Sequence, residues 1–402
     1  MSNKKRNILV GKYQMKRIIK FFKKTLICLS LFVALLVAIL YITGNSYVLK
    51  GVRLTYLKGK TTSNISDAKD FDNNIVKTLI PKNWEKDSNY NKTHLSNELL
   101  KELKIYKTSA FLVIKDGKIL QEHYWEPYSE KSLTNSFSMA KSLVTLLAQK
   151  AIEDGYIRSW EQPITDYLPE YKNDLNAQKC TIADLSKMTS GFDWKEDYYF
   201  PLNPTAKAYY GESMDDVILS RKFITAPNTE WKYLSGNTQL LGYIISRATK
   251  KTLSEYLSEK LWKPLGMSGD ALWTVDHNGG IEKSYCCISS SARDFARLGQ
   301  LYLQKGNWNG KQLIDSIFIN KATQPNSLSH GVYGYGFWMD HNYKYPFYMM
   351  KGHLGQYVIC LPKQNIIIVR LGETKTKQMD LKNKFLTKDI FLYINEVERI
   401  VN

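Results

Sequence analysis

No acidic residue occurs among the first 24 positions of the chain, and no charged residue at all among the next 19. Five cysteines in 402 residues are too few for a disulfide-built scaffold. The six histidines are scattered, H-E-x-x-H is absent and no Cys/His spacing suits zinc, which argues against a metalloenzyme. G-x-S-x-G does not occur, which removes the nucleophile turn of the α/β-hydrolases. A glycine-rich phosphate loop is also missing. Cys180, Cys286, Cys287 and Cys360 could pair in an oxidising compartment, and buried free thiols are the expectation for them.

The charge that is present is concentrated. Net charge is +18, and nine basic residues (Lys4, Lys5, Arg6, Lys12, Lys16, Arg17, Lys20, Lys23 and Lys24) lie in residues 1–24. This basic tail leads into TLICLSLFVALLVAILYIT, residues 25–43. Nineteen helical residues reach roughly 28 Å, close to the apolar thickness of a bilayer. The alternative is a cleaved signal peptide, but the leader is long, the apolar run exceeds an ordinary h-region and no A-x-A-like site follows. Read as a signal anchor, the span keeps the basic tail in the cytoplasm and puts everything after it outside. Cys28 has no convincing lipobox before it. The remaining charge is a lysine-rich surface with no nucleic-acid motif, so no nucleic-acid partner is expected.

Residues 44–75 are polar, with Gly44, Gly51 and Gly59, and read as a linker; residues 76–402 then form the main domain. FLVIKDGKILQEHYW (111–125) holds two strand-like runs around Asp116-Gly117, a hairpin signal. A helical run follows from Asn135 or Ser136, either a plausible N-cap, to a stop at Gly155. Residues 158–330 alternate helical patterns with loops, including an aromatic-rich connection between Phe192 and Trp231. After Val332, YGYGFWM, YPFYMMKG, QYVICLP and NIIIVRLG read as successive strands, before a last amphipathic helix at roughly 379–400. Early and late strands with helices between them predict an α+β domain whose sheet is built from both chain ends.

One feature of the helical run NSFSMAKSLVTLLAQKAIEDGYI (135–157) stands apart. Lys141 is the only charge between Phe137 and Ala148, three residues after Ser138. Residues i and i+3 share a helical face. A serine hydroxyl is a weak nucleophile until a base takes its proton. A lysine serves as that base only if desolvation brings its pKa down by some three units. The bland alternative is a lysine that snorkels out of a buried helix. S-x-x-K by itself is weak, since it recurs at Ser2–Lys5 and Ser66–Lys69.

The flanking stretches carry more. NSFSMAKS, TIADLSKMTSGFDW (181–194), WKYLSGNTQLLGYII (231–245), PLGM (264–267), SSSARDFARLGQLYLQKGNWNGKQLI (289–314), YGYGFW (333–338) and GHLGQY (352–357) together resemble the serine β-lactamase-like hydrolases. Within that superfamily they are most similar to the 6-aminohexanoate-dimer hydrolase and esterase branch. The resemblance runs from about residue 105 to 395. It implies a β-lactamase/DD-peptidase-like fold, an antiparallel sheet flanked by helices with a helical lobe inserted, and no cofactor. It further implies Ser138 as nucleophile and Lys141 as base. Tyr233 would shuttle the proton to the leaving group, with Ser235 two residues on. His353, Leu354 and Gly355 match the third motif, on a strand. His353 would bond the tyrosine or the substrate, and Gly355 would let an acyl group pass. The backbone N–H groups of Ser138 and Gln356 would form the oxyanion hole. The aromatic stretch 194–210, with Tyr198 and Tyr199, would cover the substrate.

The chain departs from the penicillin-recognising form: His353 replaces lysine, Leu354 lacks the hydroxyl that would bind a substrate carboxylate, and Ser235 replaces asparagine. These changes favour amide or ester hydrolysis. Two alternatives stand beside that reading. One is a cell-wall D-alanyl-D-alanine carboxypeptidase or weak β-lactamase. The other is a non-catalytic envelope protein that binds peptidoglycan.

Overall fold

The computed structural model describes residues 3–401. Lysine, arginine, leucine and isoleucine dominate the first forty residues and no proline interrupts them, so helix propagation meets no obstacle. The result is one helix, α1 (Asn3–Ile42). The basic tail and the apolar run are therefore continuous in one helix. Residues 12–42 are long and apolar enough to cross a membrane, and the most apolar stretch packs on nothing.

The expected linker is a structured segment instead. Residues 47–54 form helix α2 (Tyr47–Leu54) and residues 73–76 form strand β1 (Asn73–Val76). Tyr47, Leu54 and Ile65 are buried. The apolar stripe Tyr47, Val48, Gly51, Leu54 has helical spacing and closes on α6 (Pro204–Tyr210), where the Tyr47 hydroxyl donates to Pro201 O at 3.0 Å. Polar composition concealed a segment that is part of the body.

The remaining helices that position the site are α3 (Asn97–Ile105), α4 (Ala140–Glu153), α5 (Ile182–Lys187), α7 (Met214–Ile218) and α8 (Ser235–Thr249). The strands are β2 (Thr108–Lys115), β3 (Lys118–Tyr124), β4 (Thr134–Asn135), β5 (Ala271–Thr274) and β6 (Ile288–Ser290). A short hairpin follows, of β7 (Asn307–Trp308) and β8 (Lys311–Gln312). The last four strands are β9 (Trp338–Asp340), β10 (Phe347–Gly352), β11 (Gln356–Leu361) and β12 (Ile366–Gly372).

The main sheet has the order β3-β2-β12-β11-β10-β9 and is antiparallel throughout. Its first two strands come from residues before the nucleophile helix and its last four from the end of the chain, as the sequence predicts. The β2–β3 turn places Asp116 and Gly117 both at positive φ, the geometry an Asp-Gly hairpin supplies. One face of the sheet packs the helix Ala292–Leu303 and α4, with α8 against α4; the other packs α3 and the helix Lys388–Val401. That last helix starts at Lys388 rather than near 379, because Asp380 and Asn383 hold residues 380–386 in turns. A second sheet, β1-β5-β6-β4, forms beside the site.

Cys180 and Cys360 are buried free thiols, as expected, but Cys286 and Cys287 form a disulfide. Neighbouring cysteines give no long-range spacing signal, and a local turn with Cys287 at positive φ brings them together.

Candidate active site

The nucleophile turn is built before the helix begins. The run 137–139 is one 3-10 turn ahead of α4, and neither Asn135 nor Ser136 caps the helix by side chain. Instead Asn135 Oδ1 accepts from Phe137 N at 2.8 Å and Ser136 Oγ donates to Phe137 O at 3.1 Å. These bonds hold Phe137 at φ +44°, a costly conformation for an aromatic residue. Ser138 follows at the α4 N-terminus, where the helix dipole favours negative charge on its oxygen. At the other end Gly155 stops the chain at φ +77°, as predicted.

Lys141 is buried one turn into α4, and its Nζ donates to Ser138 Oγ (3.0 Å), Ser235 Oγ (3.1 Å) and Tyr285 O (2.9 Å). Three oxygens thus fix the amine. Burial lowers its pKa to about 8, against an opposing pull from the Glu196 carboxylate. An ordinary lysine at neutral pH is almost wholly charged; this one has a usable neutral fraction. Tyr233 faces the same point, with Lys141 Nζ 5.0 Å from its ring centroid. Burial raises the Tyr233 pKa, and its interaction with Ser138 acts in the opposite direction. Ser138, Lys141, Tyr233 and Ser235 therefore converge although they come from separate parts of the chain.

His353 is placed differently from the expectation. It lies in a short turn, His353–Gly355, between β10 and β11, not in a strand. Leu354 at φ +60° and Gly355 at φ +84° cannot continue a strand. A Cβ on Gly355 would lie 2.4 Å from Arg370 Nη1, so the turn needs glycine for space as well as for φ. The His353 ring packs edge-on against Phe137 (5.6 Å) and stacks on Tyr198 (5.0 Å), and forms no hydrogen bond to Tyr233 among the described residues. Its Nε2 is buried without a partner. Burial, with help from Lys375, depresses its pKa to about 4, so the ring is neutral near pH 7. The neutral ring lines the cleft, and its unpaired nitrogen is covered by its neighbours, with Tyr198 stacked over the ring.

Gln356 opens β11 opposite Gly352. Its side chain is turned inward, donating to His353 O (3.1 Å) and Gly372 O (2.7 Å) and accepting from Gly372 N (3.1 Å). Only its backbone can act at the site. Close approach is real here: a Cβ on Gly352 would meet Ser136 O at 2.3 Å, so β10 abuts the nucleophile turn.

Of the aromatic stretch, Tyr198 and Tyr199 line the cleft above Ser138, while Trp194 is buried. The sequence reading missed Glu196 among them. Its carboxylate accepts from Ser235 N (2.7 Å), Ser235 Oγ (2.7 Å), Trp194 Nε1 (3.0 Å) and the Tyr198 hydroxyl. It pins the residue that Lys141 bonds. Nothing in K-E-D-Y-Y marks this acid from its neighbours. Among the described residues, no cluster of histidine, cysteine, aspartate and glutamate is arranged to hold a metal ion.

Comparison with known proteins bears on the fold and the family. The 6-aminohexanoate-dimer hydrolase of Paenarthrobacter ureafaciens is 28% identical over 226 residues, covering 54% of this chain and 57% of that enzyme. The chain thus matches little more than half the length of that relative. A Bacillus anthracis structure, provisionally named a 6-aminohexanoate-dimer hydrolase, shares the fold with a TM-score of 0.71 at 24% identity, over 86% of this chain and 93% of that one. A penicillin-binding protein from Bacillus halodurans gives 0.57 at 16% identity, over 74% and 99%. The Beta-lactamase family model matches residues 98–389. Most of the chain lies inside that match, and the protein belongs to the Beta-lactamase family, which includes serine hydrolases such as the 6-aminohexanoate-dimer hydrolases.

Proposed function

We propose that the protein is a membrane-anchored serine hydrolase that cleaves an amide or ester through an acyl-enzyme on Ser138, outside the cytoplasm. The observation that carries this reading is the 3.0 Å bond between Ser138 Oγ and a buried Lys141 amine whose pKa is near 8. Neutral Lys141 takes the hydroxyl proton as Oγ attacks the carbonyl carbon. The carbonyl oxygen becomes an oxyanion facing the backbone N–H groups of Ser138 and Gln356. As the carbon–nitrogen or carbon–oxygen bond breaks, Tyr233 gives a proton to the departing amine or alcohol and is reprotonated through Lys141. Water then attacks the acyl carbon by the same route and releases the acid. Ser235, held by Glu196, keeps the amine in line. The helix α1 and the nine basic residues at its start support the anchored topology.

Labelling the full-length protein with a fluorophosphonate and with fluorescent penicillin tests the reading. Labelling of Ser138 by the fluorophosphonate alone is the expected result. Labelling by both would favour a cell-wall enzyme, and labelling by neither would leave a binding protein.

The pH profile provides a second check. Because the reactive amine must be neutral, kcat/KM should rise about tenfold per pH unit below about 8 and level off above it. The Glu196 carboxylate favours protonated Lys141, so Glu196→Gln should move this limb to lower pH. A limb that stays put or moves upward contradicts the assigned base.

A further inference from the structure

The cleft above Ser138 holds a cavity of about 130 Å³ that opens to solvent. Val48, Gly51 and Val52 of α2 line it together with Phe200, Tyr209 and Tyr210, and the two segments meet where Gly51 lies against the Tyr210 ring. Asp197 is the only carboxylate along it, and no lysine or arginine lines it. A substrate with charged groups on its acyl part would find almost nothing to pair with there.

The α2 wall begins at Tyr47, five residues beyond the end of α1 at Ile42. Five residues span at most roughly 17 Å, so the cleft wall stays close to the end of the apolar helix. The rim is apolar too. Tyr56 and Leu57 just after α2 are 65% and 77% exposed, and Tyr199 and Phe200 are 74% and 50% exposed. Exposed aromatics grouped beside a membrane-capable helix suit the bilayer interface. Tyr233, assigned to the leaving group, packs against Tyr333 and Trp338, whereas the apolar residues of the cleft come from α2 and residues 198–210, so the acyl part is the one assigned to the cleft.

We infer that the substrate is an amphiphile with a long apolar acyl chain, which lies in the cleft lined by α2 and residues 198–210 and reaches Ser138 from the bilayer side. This rests on the proposed serine hydrolase reading and narrows its substrate class.

The test uses the full chain in lipid nanodiscs with p-nitrophenyl acetate, butyrate and octanoate. A fully buried methylene is worth roughly fourfold, and partial burial of six should make kcat/KM for octanoate at least about tenfold that for acetate. Val48→Asp with Val52→Asp should cut the octanoate-to-acetate ratio by at least about fivefold. A flat chain-length profile in a protein whose Ser138 is labelled by fluorophosphonate would overturn the inference and leave the hydrolase standing. Were Ser138 unlabelled, the hydrolase reading would fail, and the cleft is then judged without turnover. A diazirine-bearing C16 fatty acid in nanodiscs of Ser138→Ala should cross-link to residues 47–56 and 198–210. Cross-links confined to α1 would overturn the chain-binding cleft itself.

Discussion

Ser138→Ala should abolish both turnover and fluorophosphonate labelling, and Lys141→Met should lose nearly as much. The expected loss is on the order of 10⁴-fold or more in kcat for either variant. The double variant should be scarcely worse than either single one, because hydroxyl and amine perform one act. The two differ in their effect on stability. Ser138 contributes one small hydroxyl that accepts from Lys141, which keeps its bonds to Ser235 and Tyr285 O, so Ser138→Ala should leave the fold unchanged. Lys141 is a cost to the folded state: its pKa falls from 10.5 to about 8 on burial. The folded-state value lies below the unfolded one, so the penalty is fully present below about pH 8 and vanishes above about 10.5. It amounts to about 3 kcal/mol at pH 7. Methionine fills the same space without a charge and forfeits bonds to Ser235 and Tyr285 O. Thermal unfolding at pH 7 should therefore give a Tm for Lys141→Met no lower than that of the parent. A large fall in Tm with retained hydrolysis would mean the lysine is structural, and the proposed chemistry would be gone.

What could be read from the sequence follows a physical pattern. Lys141 announced itself because one charge in an apolar helical run needs a reason, and the reason proved to be a desolvated contact with Ser138. The sheet was legible because β10 to β12 are buried on both faces and their apolar runs are nearly continuous. Residues 44–75 were not: the short stripe of α2 was masked by polar neighbours, and Ile65 and Asp67 are held by single long-range bonds, to Asn135 and Tyr209, that leave no periodic trace. His353 was misplaced because two left-handed residues, one of them a leucine, convert an apparent strand into a turn. Glu196 acts through partners that only the folded chain supplies. Arg370 was legible in principle: NIIIVRLG carries the same signal as Lys141, a lone charge in an apolar run.

Arg370 gives the second large effect. It is fully buried on β12, and its guanidinium is satisfied by oxygens of the backbone and of a hydroxyl, not by a carboxylate. Nη1 donates to Leu354 O and Gly355 O, both at 3.0 Å; Nη2 donates to Tyr106 O at 2.6 Å; Nε and Nη2 reach Thr108 Oγ1 at 3.1 and 3.0 Å. One side chain thus ties the positive-φ turn that carries His353 to the start of β2. Arg370→Met removes these donors and strands buried carbonyl oxygens, each costing about 1–3 kcal/mol. The sum should exceed about 3 kcal/mol, which for a domain of this size lowers Tm by roughly 4 °C or more. The freed turn leads directly into Gln356, whose backbone N–H is assigned to the oxyanion, so kcat should fall by about 10²–10³-fold. Arg370→Lys, with one compact cation in place of a planar fork, should recover part of the Tm and little of the kcat, because it cannot hold both carbonyls at once. Unfolding curves and initial rates on the same full-length preparations separate the two effects. Normal kcat in an Arg370→Met protein that has lost several degrees of Tm would detach this turn from the chemistry and leave the oxyanion to other donors.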